Sequence, residues 1–249
     1  MIYIIGAGPG AADLITVRGA ELLKKADVII YAGSLVNPAL LDYAKENCEI
    51  YNSAVMTLEE VIDVMKAHAE DIVVRLHTGD PCIYGAIREQ MDKLDDLGLE
   101  YDYIPGVSSF IGAASALKAE YTLPNVSQTV ILTRMAGRTP VPPKEEIASL
   151  ASHGATMIVF LTSTMLTELS KRLMEGGYSQ DTPAAIVYKA TWPDQKVIRT
   201  TVRKIAESAE ENGINNMALI LIGGFLDNSY DRSRLYDPKF SHEFRKASK

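Results

Sequence analysis

Ile2-Tyr3-Ile4-Ile5-Gly6-Ala7-Gly8-Pro9-Gly10 is a short apolar run that breaks directly into a glycine-rich turn. Continuous apolarity without alternation reads as a strand buried on both faces, as in a sheet covered by helices. Outward from it the rhythm repeats, with strands expected at 28–31, 72–76 and 100–104 and helices at 12–25, 38–47, 85–97 and 109–117. In the first of these helices Leu14, Val17, Leu22 and Leu23 are expected to face inward. Thr57 is placed to cap a helix running through Ala67, and Glu60 completes a capping box. Strand and helix alternating in this way make an α/β chain with a largely parallel sheet.

The rhythm breaks at 118–127, around Pro124 and Asn125. That divides the chain into an N-terminal α/β domain over 1–122 and a C-terminal α/β domain over 123–249. In the second, strands are expected at 129–133, 157–161, 184–188, 197–201 and 218–222. Its helices are expected from Lys144, at 164–175 ahead of Gly176 and Gly177, and at 202–212. From Tyr230 onward the chain is charged and aromatic and is expected to lie across the surface.

Composition bounds the function. The 249 residues are 47% hydrophobic and 23% charged, a globular balance that excludes disordered, collagen-like and coiled-coil chains. Lys and Arg number 25 against 32 acidic residues, and the net charge of -7 speaks against a broad nucleic-acid surface. Cys48 and Cys82 lie too far apart for a paired-cysteine motif and fit a reducing cytoplasm. His68, His77, His153 and His242 are scattered without ligand spacing, so no metal is expected. No apolar run approaches the roughly 20 residues of a membrane span, and nothing ahead of Ile2 resembles a signal peptide. A cytoplasmic protein is expected.

The turn at Gly6–Gly10 stands where a dinucleotide fold places its phosphate loop. Two features argue against that use. Pro9 stiffens the loop and has no N–H to offer, and the second strand ends Tyr31-Ala32-Gly33 where a ribose-binding acid belongs. Two more turns, Thr78-Gly79-Asp80-Pro81 and Pro105-Gly106-Val107-Ser108-Ser109, also follow strands. Three such turns suggest one crevice, because ligands of open α/β sheets bind outside the carboxyl ends of strands. Gly79 allows close backbone approach and Asp80 offers an acceptor, while Ser108 and Ser109 can cap a helix or touch a ligand.

Together with the run 75–85 (R-L-H-T-G-D-P-C-I-Y-G), these turns resemble the tetrapyrrole methylase family, and the likeness covers essentially the whole chain. The resemblance implies two α/β domains with a ligand cleft between them, S-adenosylmethionine as cofactor, and a homodimer. Segments 134–142 (R-M-A-G-R-T-P-V-P), 188–195 (Y-K-A-T-W-P-D-Q) and 233–240 point to methylation of precorrin-4 or cobalt-precorrin-4 at C11, in cobalamin synthesis. Ala11-Ala12, where many members have Asp-Pro, departs from the family pattern. Cofactor contacts carry over to Pro9, Thr78, Gly79, Asp80, Ile83, Ser108, Ser109, Leu161, Ala190 and Ala218. Leu161 and Ala190, taken alone, also suit core packing.

Methyl transfer to an electron-rich carbon needs orientation more than a protein nucleophile. Asp80 and Tyr84 are the candidates to accept a proton. Arg134 and Arg138 are the candidates for the substrate's carboxylates, with Arg18, Arg88 and Lys189 near the other motifs. Trp192 can close over a flat macrocycle or pack as a core residue, and His77 is not expected to ligate metal. Other readings are methylation at another ring position (C17, C20, or C2 and C7), a nucleotide-dependent oxidoreductase, and a non-catalytic tetrapyrrole carrier.

Overall fold

The N-terminal apolar run is one of five parallel strands. β1 (Ile2–Gly6), β2 (Val28–Tyr31), β3 (Glu49–Asn52), β4 (Val73–His77) and β5 (Tyr101–Ile104) lie in the order β3-β2-β4-β1-β5. Gly6 pairs with His77 and Ile5 with Ile104, so the ends of β4, β1 and β5 are neighbours. These strands belong to the first of two compact units in the computed structural model, which describes residues 1–227 and 229–247. Unit 1 is Met1–Ala113 with Lys189–Gln195, and unit 2 is Ala114–Tyr188 with Lys196–Lys249. The first unit's main segment ends inside the helix Ser109–Leu117, ahead of the break expected at Pro124–Asn125. Asn228, Ser248 and Lys249, the last two ending the expected surface tail, lie outside the described residues.

Side chains on the unit 1 strands alternate between two apolar layers. Ile5, Ile29, Val74, Leu76 and Ile104 pack with Leu23 of α1 (Val17–Lys25). Ile2, Val28, Ile30 and Val73 pack with Val61, Ile62 and Met65 of α2 (Leu58–Ala67) and Leu94 of α3 (Arg88–Leu97). Burial of each such side chain contributes roughly 1.5–3 kcal/mol. The capping box forms as expected: Thr57 Oγ1 accepts from Glu60 N at 3.2 Å, and Glu60 Oε2 accepts from Thr57 N at 2.7 Å. Thr57→Ala is expected to cost about 1 kcal/mol, seen as a lower urea midpoint at unchanged slope.

Several expectations are corrected here. The first helix begins at Val17, capped by Thr16, so Leu14 and Val17 face solvent at 40% and 82% exposure while Ile15 turns inward. The stretch expected as a helix at 38–47 is a 3-10 turn, Pro38–Tyr43. The helix expected from Gly85 begins at Arg88, since Tyr84 and Ala86 adopt left-handed φ of 56° and 49°. β3 went unread because an edge strand with half-exposed Ile50 and Glu49 carries no continuous apolar run.

Unit 2 has β6 (Val130–Arg134), β7 (Thr156–Phe160), β8 (Pro183–Tyr188), β9 (Lys196–Thr201) and β10 (Ala218–Ile222), ordered β6-β7-β10-β8-β9. Only β6 and β7 are parallel; β10 runs antiparallel to β7 and β8, and β9 to β8. A largely parallel sheet was expected, and this one is mixed. Beyond α4 (Ser109–Leu117), the helices α5 (Ile147–Ala151), α6 (Leu166–Glu175) and α7 (Ile205–Glu211) complete the order. Leu169, Leu173, Ile205 and Ala209 cover Met157, Val159, Ile186 and Ile220. No helix among the described residues is long and apolar enough to cross a membrane.

Candidate active site

The three glycine-bearing turns leave three adjacent strands of unit 1 and are bonded into one object. Gly8 N donates to Gly79 O at 3.2 Å and Gly79 N to Gly8 O at 3.0 Å. A Cβ on Gly6 would lie 2.5 Å from Gly106 Cα and 2.6 Å from Gly79 O, so all three backbones pass closer than a side chain permits. Gly79 also holds φ at +59°, which only glycine adopts without strain. Asp80 clamps the second turn to the third. Its Oδ1 accepts from Cys82 N at 2.8 Å and from the Tyr103 hydroxyl, and its Oδ2 accepts from Gly106 N at 2.7 Å. Burial raises the Asp80 pKa, but the bonds from Cys82, Tyr103 and Gly106 outweigh it and hold the carboxyl below its ordinary value.

These bonds decide what the first turn can hold. Ala7 N donates to His77 O at 2.6 Å, Gly8 N to Gly79 O, and Ala11 N to Thr191 Oγ1 at 2.9 Å. Pro9 has no N–H at all. A phosphate loop works by aiming free backbone N–H groups at the anion, and here those of Ala7, Gly8 and Ala11 are spent on the protein. The dinucleotide reading therefore loses three of the donors it would use.

Behind the second turn lies a buried polar relay. Arg75, 6% exposed, donates from Nε to Gln90 Oε1 at 2.9 Å and from Nη1 to Ile30 O at 3.2 Å. Gln90 Nε2 in turn donates to Ala86 O at 3.0 Å, fixing the loop that carries Ile83 and Tyr84. Burial lowers the Arg75 pKa to about 10. Burial, followed by the Arg75 charge, pushes His77 to about 3, so its imidazole is neutral. His77 Nε2 is buried without a hydrogen-bond partner.

In unit 2 the carboxyl ends of β6, β7 and β8 and the amino end of β10 share one sheet edge, which carries Arg134, Leu161 and Ala218. Leu161 is 64% exposed with φ of +52°. A left-handed leucine costs roughly 1–2 kcal/mol, and its neighbours hold it there. Thr162 Oγ1 donates to Phe160 O at 2.6 Å and accepts from Met135 N at 3.2 Å, while Ser163 Oγ donates to Ala218 O at 3.4 Å. Strain of this kind gathers at functional sites.

The tetrapyrrole (corrin/porphyrin) methylase model matches residues 1–206. This chain belongs to the tetrapyrrole methylases. It is 53% identical to a cobalt-precorrin-4 C(11)-methyltransferase of Methanocaldococcus jannaschii, over 100% of this chain and 97% of that one. It is 43% identical to a precorrin-4 C(11)-methyltransferase of Sinorhizobium, over 98% of each. Among solved structures it matches a cobalt precorrin-4 methyltransferase, a cobalamin biosynthetic enzyme, at TM-score 0.89 and 49% identity, over 91% of this chain and 95% of that one.

In this methylase, unit 1 brings together Pro9, Thr78, Gly79, Asp80, Ser108 and Ala190. A Cβ on Gly79 would lie 3.4 Å from Ser108 Cα and Ser109 N, and one on Gly10 would lie 2.6 Å from Ala190 O. Thr78 Oγ1 donates to Leu35 O at 2.8 Å, and Ile83 N to Asp80 O at 3.2 Å. Three of the expected residues have surroundings that bear on their roles. Asp80, with its carboxylate filled by three donors and its pKa lowered, clamps the second turn to the third. Arg134 folds back on its own loop, donating to Met135 O, Thr139 O and Pro140 O at 3.0, 3.1 and 2.8 Å, so it shapes that loop, while Arg138 is exposed. Leu161 is not a core residue. Arg88 and Lys189 are paired with Asp92 and Asp194 at 2.7 and 2.6 Å, and Arg18 is exposed.

Sequence reasoning missed Tyr103, Gln90 and Asn37, whose Nδ2 donates to Gly10 O at 2.8 Å. Tyr103 lies in the strand that runs into the Pro105-Gly106 turn, and that adjacency is the one signal that marked it.

Proposed function

We propose that this methylase transfers the methyl group of S-adenosylmethionine to C11 of cobalt-precorrin-4 or precorrin-4 in cobalamin synthesis. The observation that carries the reading is the likeness, over the full chain, to C(11)-methyltransferases. The higher identity to the relative named for the cobalt substrate favours the cobalt form. The family resemblance is the ground for expecting a cytoplasmic homodimer.

The residues suit the cofactor. S-adenosylmethionine carries no phosphate, and a turn with Pro9 at its centre and the Ala7, Gly8 and Ala11 N–H groups already bonded is poor in donors for one. When bound it supplies a methyl group on an electrophilic sulfonium. Pro9, the Thr78–Asp80 turn, Ser108 and Ala190 would hold it, with small residues and carbonyl groups at the closest approach. The ionised Asp80 favours a cationic ligand over an anionic one, and its clamp fixes the Gly79 and Gly106 backbones relative to each other. Orientation of two reactants supplies up to roughly 7–11 kcal/mol, which is the work this arrangement does. Tyr84, 45% exposed on the same loop, can relay the substrate's proton, its hydroxyl oxygen accepting it as its own O–H proton passes to water.

The test is incubation with enzymatically generated cobalt-precorrin-4, and separately precorrin-4, together with methyl-labelled S-adenosylmethionine. NMR of the product is expected to place one new methyl at C11. Label at another carbon would overturn the regiochemistry. No transfer from either form, beside an active control enzyme, would leave a tetrapyrrole carrier.

A further inference from the structure

The connection Lys189–Gln195 belongs to unit 1 and grips the first glycine turn. Thr191 Oγ1 accepts the Ala11 N–H at 2.9 Å, while Asn37 Nδ2 donates to Gly10 O at 2.8 Å. A Cβ on Gly10 would stand 2.2 Å from Trp192 Cδ1 and 2.5 Å from Trp192 Nε1, so the indole edge rests on the Gly10 backbone. Across the turn, a Cβ on Gly112 would lie 2.6 Å from Pro9 Cβ and 3.4 Å from Thr191 Cγ2. Each residue of Pro9-Gly10-Ala11 thus has a neighbour outside the turn: Gly112 for Pro9, Trp192 and Asn37 for Gly10, and Thr191 for Ala11.

The gripping segment is itself rigid. Thr191 N donates to Gln195 Oε1 at 2.7 Å. Lys189 Nζ bonds Asp194 Oδ2 at 2.6 Å and lies 5.3 Å from the Trp192 ring centre. Lys189 and Thr191 hold left-handed φ of 45° and 68°, a conformation that persists only where the surroundings over-determine it.

We propose that Thr191 and Trp192 are positioning residues for the cofactor: they hold Pro9-Gly10-Ala11 in its binding conformation before S-adenosylmethionine arrives. The inference rests on the methyltransferase reading and on Pro9 as a cofactor contact. Gly8 and Gly10 on either side of the stiff Pro9 each have more conformations to lose than any other residue type, and ordering them on binding would subtract from affinity. Pre-organisation removes that cost and appears in the dissociation constant of the cofactor, with little change in the chemical step.

Thr191→Val keeps the shape and removes the acceptor. It is expected to weaken S-adenosylhomocysteine about tenfold by calorimetry, the effect of leaving one N–H unpaired. The kcat at saturating S-adenosylmethionine and the KM for the tetrapyrrole should stay near wild type. Thr191→Ser should restore the affinity. Wild-type protein gives an independent measurement because Trp192 is the only tryptophan of the chain. Its emission should change on titration with S-adenosylhomocysteine and saturate with the calorimetric constant. Unchanged affinity in Thr191→Val, an affinity loss that Ser fails to restore, or Trp192 emission indifferent to the ligand each overturns the proposal. Wild-type protein that binds no S-adenosylhomocysteine overturns the methyltransferase reading itself, and a wild type that binds normally separates the two failures.

Discussion

Gly106→Ala is expected to abolish methyl transfer and to lower the thermal midpoint by about 2–12 °C. The added Cβ would lie 2.2 Å from Gly79 O, 2.7 Å from Gly6 Cα and 2.9 Å from Gly6 C. All three atoms are backbone, so no flexible side-chain end can yield. The turns after β1 and β4 would have to separate from the turn after β5, against the Gly8–Gly79 hydrogen bonds and the Asp80–Gly106 bond. Overpacking of this kind costs roughly 1–3 kcal/mol or more, and for a chain of this size each kcal/mol moves the midpoint about 2–4 °C. Gly137→Ala is the stability control, since its Cβ would meet only the end of Met165 at 3.4 Å. Thermal unfolding and kcat/KM on both variants check the expectation. A Gly106→Ala protein with wild-type turnover would mean that the three turns do not form one binding element.

How far the sequence reveals this fold depends on where each residue's partners lie. Ile2–Gly6 and Val28–Tyr31 were legible because strands buried on both faces are continuously apolar, and Val73–His77 was legible from Val73, Val74 and Leu76 although Arg75 and His77 are buried beside them. The same property hid the direction of Ala218–Ile222. A strand buried on both faces looks alike whether it runs parallel or antiparallel, and β10 runs against both neighbours. Thr57 and Glu60 were legible as a cap because both partners fall within one turn. Asp80 was legible as the acceptor of its turn but its partners were not, since the donors that fill it come from Cys82 and from Tyr103 and Gly106 on another strand and turn. Leu161 was misread in part because an exposed leucine breaks the rule that large apolar side chains go inside. The bond between Ala11 and Thr191 joins positions that only the folded chain brings together.

Asp80→Ala is expected to cut kcat/KM by about a hundredfold or more, the scale set by ångström misplacement in an oriented site. The loss comes from geometry, because a carboxylate held by three donors below its usual pKa is a weak base. Removing it leaves the part-buried Gly106 N–H and Tyr103 hydroxyl without their acceptor, each at up to roughly 1–3 kcal/mol. Asp80→Asn should rescue little, since its NH2 would face Gly106 N–H or the Cys82 and Tyr103 donors, donor against donor. The clamp also has a definite pH signature. A folded-state pKa below the unfolded one stabilises the protein above the unfolded value of about 3.9, and the contribution is lost as pH falls through the lowered value. Urea unfolding should therefore show a gap between wild type and Asp80→Ala that is full at pH 7 and narrows at pH 3. A gap of equal size at both pH values would show that the ionised carboxylate is not what joins the turns. Activity tells the clamp from the base independently. A base would impose its own ionisation on the pH profile of kcat and leave cofactor affinity intact, whereas loss of the clamp should weaken S-adenosylhomocysteine binding together with turnover, because Gly79 and Gly106 are the backbones that Asp80 sets in place.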